Sequence, residues 1–322
     1  TRDLGDCRSP NYQSTLYTII SPEPWYQITF VNSHAGTLNE FGDVPATHLY
    51  SCKLDGTAVR RLTYNLSSDF DPWIMDDGRL LFSAWQRCSF ERGVLGHVSL
   101  FGLNIDGTDY AAYVSLDDGK RIKHMACTTR AGLAIFVETD HSPWDGAGQL
   151  GRVQIRRPLR TYAQLTNDPT VLFHSPSPLP DGCILVSRRS ADNTDTHGVW
   201  KLNPASGETQ PIFDDPQFHD LQACLVHPRE EPDGRSSVVS ESDPHGKLYC
   251  LDVYTSDLAE AVAMTPGTAK RVRILEGIPR RPTPQDPRPR NLRQDSTAGA
   301  DERSRRVWIP QLAPRRILGE AE

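Results

Sequence analysis

Leu49-Tyr50-Ser51-Cys52-Lys53-Leu54-Asp55-Gly56-Thr57 leads to Arg61-Leu62-Thr63, then Asp71-Pro72-Trp73, then Asp77-Gly78-Arg79-Leu80-Leu81-Phe82-Ser83. Pieces of this phrase return three more times along the chain. Short apolar runs separated by Asp-Gly pairs are strands joined by tight turns, because Asp-Gly supplies the positive φ that two-residue hairpins need. A repeat of about 45 to 50 residues built this way is the signature of a β-propeller, in which each repeat is one four-stranded antiparallel blade.

The clearest blade begins at Asp71, with strands expected over 71–75, 79–86, 99–105 and 110–115. In the second of these, Leu80, Phe82 and Ala84 alternate with Leu81, Ser83 and Trp85. The next blade runs over about 120–167 and the one after over about 172–214. A fifth spans about 218–275, with a turn at Pro232-Asp233-Gly234 and a strand expected over 247–253. Residues 26–32 and 49–62 supply three strands of an earlier blade. These make about five blades, and a sixth, shared or built from both chain ends, would close the ring. The expected domain therefore covers residues 1–277. Residues 278–322 open on Pro279-Arg280-Arg281-Pro282-Thr283-Pro284-Gln285-Asp286-Pro287-Arg288-Pro289-Arg290 and read as a Pro/Arg-rich linker.

The chain has 322 residues, a net charge of -6 and 37% apolar residues. Nothing in that balance favours nucleic acid, and the basic linker lacks the interleaved aromatics of a strand-binding surface. No apolar run reaches the roughly 20 residues of a membrane span. The seven cysteines, Cys7, Cys52, Cys88, Cys127, Cys183, Cys224 and Cys250, are widely spaced and form neither CxxC nor CxxCH. They read as mostly buried thiols with at most one or two disulfides. P-loop, Gly-x-Ser-x-Gly and His-Glu-x-x-His patterns are absent, and the two Asp-Gly-Thr triplets at 55–57 and 106–108 are turns rather than calcium loops.

Two constellations could carry chemistry. Aligned on the turn after the first strand, Phe70, His124 and His174 share one register, and His219 joins them through the local phrase Phe218-His219-Asp220. Three imidazoles converging on a channel could hold a metal ion; alternatively, each could cap its own strand. The second is the loop Glu138-Thr139-Asp140-His141-Ser142-Pro143-Trp144-Asp145-Gly146, where Asp140 and His141 are acid/base candidates. Its structural alternative is a loop of Asx turns.

The repeated phrase resembles the TolB-like six-bladed propeller repeat. Longer stretches are more particular: Phe70-Asp71-Pro72-Trp73-Ile74-Met75-Asp76-Asp77-Gly78-Arg79, Ser83-Ala84-Trp85-Gln86-Arg87, His219-Asp220-Leu221-Gln222-Ala223 and Gly246-Lys247-Leu248-Tyr249-Cys250-Leu251. Over roughly residues 25 to 320 the chain is similar to proteins related to the hydrazine synthase alpha subunit, in their middle propeller domain. That resemblance implies an extracytoplasmic, periplasmic scaffold followed by a c-type haem domain. It places no haem or other cofactor in this chain, and it does not imply hydrazine chemistry. Ala313-Pro314-Arg315-Arg316-Ile317-Leu318-Gly319-Glu320-Ala321 looks like the lead-in to the haem domain, so the chain is expected to be a piece truncated before it. Its expected partner is that haem or cytochrome c-like domain, in cis or in trans. The alternative is a metal-dependent, lyase-like enzyme with His124, His174 and His219 as ligands.

Overall fold

The computed structural model describes residues 2–17, 25–40, 42, 44–86, 96–115 and 118–237, with isolated positions between 239 and 281. Seventeen strands are defined in this part, with short 3-10 turns and no α-helix among the described residues. The first blade contains β1 (Cys7–Tyr17), β2 (Trp25–Asn32), β3 (His48–Lys53) and β4 (Arg60–Arg61). The second contains β5 (Asp69–Ile74), β6 (Leu80–Gln86), β7 (His97–Leu103) and β8 (Ala111–Ala112). The third contains β9 (Ile122–Thr128), β10 (Leu133–Thr139), β11 (Gln149–Gln154) and β12 (Ala163–Gln164). The fourth contains β13 (Val171–Pro178), β14 (Ile184–Ser190), β15 (Gly198–Leu202) and β16 (Thr209–Phe213). Each is an antiparallel meander in chain order. The chain is an all-β propeller.

The first blade has an inner strand that the sequence reading leaves out. β1 pairs with β2 from Cys7↔Asn32 to Leu16↔Trp25. Its sequence, CRSPNYQSTLY, carries a proline and little apolar alternation, so it does not announce itself as a strand. The turns, by contrast, form where expected. Gly78 has φ +76 and donates its N–H to the Met75 carbonyl at 2.9 Å. Both Asp-Gly-Thr triplets are Asx turns, with Asp55 and Asp106 accepting from the N–H groups of Thr57 and Thr108.

The core lies between blades rather than within them. Leu80 and Phe82 of β6 pack with Val31 and Leu49 of the first blade. Leu81, one residue out of phase, packs with Ala126 and Phe136 of the third. In β10, Phe136 faces the second blade while Ile135 and Val137 join Phe173, Ile184 and Val186 of the fourth. Side chains alternate across a strand, so a blade covered on both faces needs a continuous apolar run, and β6 and β10 provide one. Truncating Leu81, which has no exposed surface, is expected to cost about 2–5 kcal/mol.

A fifth segment follows β16. Its strand β17 (Arg235–Ser236) runs parallel to the end of β1, in register Leu16↔Arg235 and Tyr17↔Ser236. Just before it, Asp233 donates its N–H to the Asp76 carbonyl at 2.9 Å, and Arg235 Nε donates to the Asp77 carbonyl at 2.7 Å. This segment thus reaches back to the first two blades. Residues of β1, β5, β9 and β13, the turns that follow the last three, and part of the stretch 224–233 line a cavity of about 780 Å³. The strand expected over 247–253 lies, apart from Val253, outside the described residues, as does nearly all of the Pro/Arg-rich stretch.

Cys7, Cys52, Cys127, Cys183 and Cys224 are free thiols; Cys52 and Cys127 are buried, while Cys7 and Cys224 are exposed. Cys88 and Cys250 lie outside the described residues.

Candidate functional site

The innermost strands share one irregularity. Ser9, Asp71, Met125 and Ser175 adopt φ values of 48°, 49°, 51° and 49°. At each of them the pairing with the neighbouring strand slips its register. These are β-bulges, which re-aim the side chains beside them. Gln222, in the fifth segment, has a similar φ of 58° but lies in no paired strand. The residues just before the left-handed position are Arg8, Phe70, His124, His174 and Leu221. Phe70, His124 and His174 therefore occupy equivalent sites. His219 does not precede such a bulge; it lies three residues before Gln222, in the segment entering the fifth repeat.

His219 nevertheless reaches the same corner of the molecule by another route. His124 sits opposite Val137 in the third blade and its Nε2 contacts the Gly146 carbonyl at 2.8 Å. Gly146 has φ +81, and a Cβ there would come within 2.9 Å of the His124 ring. Its Nδ1 lies 3.8 Å from Asp71 Oδ2, which also accepts the Met125 N–H at 3.2 Å. Burial lowers His124 and raises Asp71, and each opposes the other's shift only in part. Both shifts favour the neutral forms.

His174 is 5% exposed, and its Nδ1 is hydrogen-bonded to Ser175 Oγ. Desolvation, helped by repulsion from His124 and His197, pushes its pKa down to about 4. Its ring stands edge-on to His197 at 5.8 Å, and His197 stands edge-on to His219 at 5.0 Å. His197 is the centre of the cluster and was not among the residues singled out by sequence. Its Nε2 lies 3.0 Å from Asp145 Oδ2, and its Nδ1 lies 3.0 Å from His219 Nδ1. The backbone N–H of His197 donates to the same His219 nitrogen at 3.2 Å.

Asp145 binds the cluster to a buried cation. Arg189 Nε donates to Asp145 Oδ2 at 2.6 Å, and both side chains are 1% exposed. Oδ1 of Asp145 accepts the Ala147 N–H at 3.0 Å. Burial works to raise the Asp145 pKa, but the hydrogen bonds from His197 and Arg189 outweigh it and hold the carboxyl well below the usual range. The loop residue expected to make an Asx turn does so, and also anchors two charged or titratable partners from the next blade.

Asp140 and His141 lie elsewhere on that loop. Asp140 pairs with Lys120 Nζ at 3.0 Å and accepts the Arg121 N–H at 3.2 Å. Its pKa is lowered because those bonds overcome desolvation. His141 is exposed, and its backbone exchanges hydrogen bonds with Thr139 Oγ1. Among the described residues no hydrogen bond, ion pair or ring contact joins either side chain to the histidine cluster. Among the described residues no group of three or more His, Cys, Asp or Glu side chains is arranged to hold a metal ion.

A signal for His197 was present in the sequence. β3 and β7 each begin on a histidine, His48 and His97, and His197 immediately precedes β15. Alignment on the first turn of each blade draws the eye to inner strands and hides a recurrence at the third.

No family model matches the chain. Hydrazine synthase subunit alpha of Kuenenia stuttgartiensis is 28% identical to it over 306 residues, covering 78% of this chain and 37% of that protein. The chain is a homologue of hydrazine synthase subunit alpha. The solved structure of Kuenenia stuttgartiensis hydrazine synthase superposes with a TM-score of 0.56 and 28% identity, over 68% of this chain and 34% of that one. The chain thus spans about a third of the length of the relatives it matches. Putative TolB from Agrobacterium tumefaciens aligns with a TM-score of 0.43 and 14% identity, over 58% of this chain and 61% of that one. No helix among the described residues is long and apolar enough to cross a membrane.

Proposed function

We propose that this hydrazine synthase alpha homologue is an extracytoplasmic propeller module that scaffolds and docks a haem-bearing redox domain, carried in the same protein or in a partner. The observation that carries this reading is the sequence relation itself, which runs through 78% of the chain and therefore through the repeated blades rather than one motif. The residues present do not fit covalent haem attachment, since the seven cysteines make no CxxCH. Haem therefore belongs to the other domain, and the propeller contributes a rigid surface built on packed blades. The test is isolation of the natural full-length product from an extracytoplasmic fraction. Covalent haem in a segment outside residues 1–322, or a haem protein that copurifies stoichiometrically, is expected. A product with neither, or one confined to the cytoplasm, overturns the reading.

The lyase-like alternative assigns metal to His124, His174 and His219. In the structure His124 Nε2, His174 Nδ1 and His219 Nδ1 already contact Gly146, Ser175 and His197 respectively. Metal analysis of the purified protein after incubation with zinc or manganese separates the two. A stoichiometric ion lost in a His174→Ala, His219→Ala double variant would revive the enzymatic reading.

A further inference from the structure

The corner that holds the histidine cluster also carries an exposed aromatic surface. Trp144 is 64% exposed, Phe213 58% and Phe218 67%. Trp144 is on the loop between β10 and β11, Phe213 ends β16 and Phe218 lies in the segment after it. The Trp144 ring lies 5.1 Å from the His219 ring, and Trp144 Nε1 donates to Asn193 Oδ1 at 3.3 Å. Phe213 pairs with Val199, Asp220 donates its N–H to the His197 carbonyl at 2.8 Å, and Thr196 Oγ1 donates to the Asp215 carbonyl at 2.9 Å. Large exposed aromatics in one place mark an interaction surface.

The two segments beside these rings carry charge of one sign. Residues 190–197 and 213–220 contain Asp192, Asp195, Asp214, Asp215 and Asp220, and no lysine or arginine. The Arg189 guanidinium lies 5.9 Å from the Trp144 ring but is buried and paired with Asp145, and Arg188 stacks on Trp200. Such a surface, aromatic at its centre and acidic at its rim, matches a ligand that presents proline rings and guanidinium groups. Pro-rich segments dock on aromatic faces because their extended conformation is already formed, and arginine both stacks on aromatic rings and pairs with carboxylates.

We propose that the occupant is the chain's own Pro/Arg-rich stretch, residues 279–290, bound to the face formed by Trp144, Phe213 and Phe218. This stretch has five prolines and four arginines against one aspartate, Asp286. It is the basic, proline-rich complement of the acidic aromatic corner. Docking holds whatever follows the linker close to the histidine end of the propeller. The inference stands on this complementarity and is independent of the haem reading.

The test uses the full chain and its tryptic susceptibility. Trypsin can cut Arg280–Arg281 and Arg290–Asn291, whereas the Arg-Pro bonds resist it. Three proteins are compared: the parent, the patch variant Asp214→Arg with Asp215→Arg, and that variant combined with Arg288→Asp and Arg290→Asp. Cleavage at Arg280–Arg281 is expected to accelerate about tenfold in the patch variant, as the undocked population rises, and to fall back in the charge-swapped protein. The same acceleration is expected for Trp144→Ala with Phe218→Ala, and for the parent in molar salt, where surface ion pairs are screened. Matching unfolding midpoints across the set exclude misfolding as the cause. A parent rate equal to that of the patch variant overturns the proposal, as does a charge swap that restores nothing. Protection that develops only when a haem protein is added also overturns it, since the face then belongs to a partner.

Discussion

Arg189 is the largest fully buried side chain of the described residues, and its guanidinium depends on one carboxylate, Asp145. An ion pair in the interior costs much of its own attraction in lost hydration, but removing one partner strands the other charge. Asp145→Ala is therefore expected to lose about 3–5 kcal/mol in urea unfolding, with Arg189→Met losing less because the Asp145 carboxylate it leaves behind still accepts from His197 and from the Ala147 N–H. Equal losses for the two variants would show that those remaining donors do not compensate the carboxylate. His174 gives the protein a pH dependence with a definite sign. Its pKa falls from 6.5 when unfolded to about 4 when folded, so the unfolded chain binds the proton more readily. Stability is unaffected above pH 6.5, declines as pH falls through that value, and levels off below about 4. The full span is roughly 3 kcal/mol for this one group. His174→Gln should flatten this part of the profile; an unchanged slope between pH 6.5 and 4 would assign it to other groups.

Among the elements, the bulge of the innermost strand is the most regular feature, and it was legible only in part. The alignment of Phe70, His124 and His174 follows from equal spacing to the next Asp-Gly turn, so a one-dimensional repeat was enough to find it. His219 lies outside this set of bulges, because a matching dipeptide is weaker than a shared backbone conformation, and the conformation is not written in the letters. β1 was missed for a related reason: Ser9-Pro10 begins a bulge, and bulges interrupt the alternation by which strands are recognised. The left-handed residue offers a clean experiment at Ser9, which is exposed. Ser9→Val should cost about 1–3 kcal/mol, because a β-branched residue resists positive φ, while Ser9→Gly should be neutral or stabilising. Similar effects from both would mean that the bulge relaxes at no cost.

Across the whole molecule, stability is shared between neighbours, since the three largest apolar clusters each join adjacent blades. The segment 233–236 is the exception, held by backbone bonds to β1 and to the turn of the second blade. Gly78 lets it approach: a Cβ there would come within 2.0 Å of the Asp233 carbonyl oxygen. Gly78→Ala should accordingly speed amide exchange at Asp233, Arg235 and Ser236 while leaving β10 protected, a contrast readable by mass spectrometry. Uniform loss of protection would instead mean that the ring unfolds as one unit. The sequence shows this architecture well where the pattern is local, in turns and buried strands. It is silent where contacts join distant stretches, such as Asp145 with His197 or Leu16 with Arg235.

That last pairing bears on how the protein is made. Leu16 leaves the ribosome long before its parallel partner, Arg235. The second, third and fourth blades can pack on one another as each is synthesised, because their contacts are sequential. The outer side of β1 must stay unpaired until the fifth segment has emerged. An open strand edge is a site of mispairing while it waits. A chain released before residue 235 would keep that edge, and its first blade would be the part most in need of a chaperone.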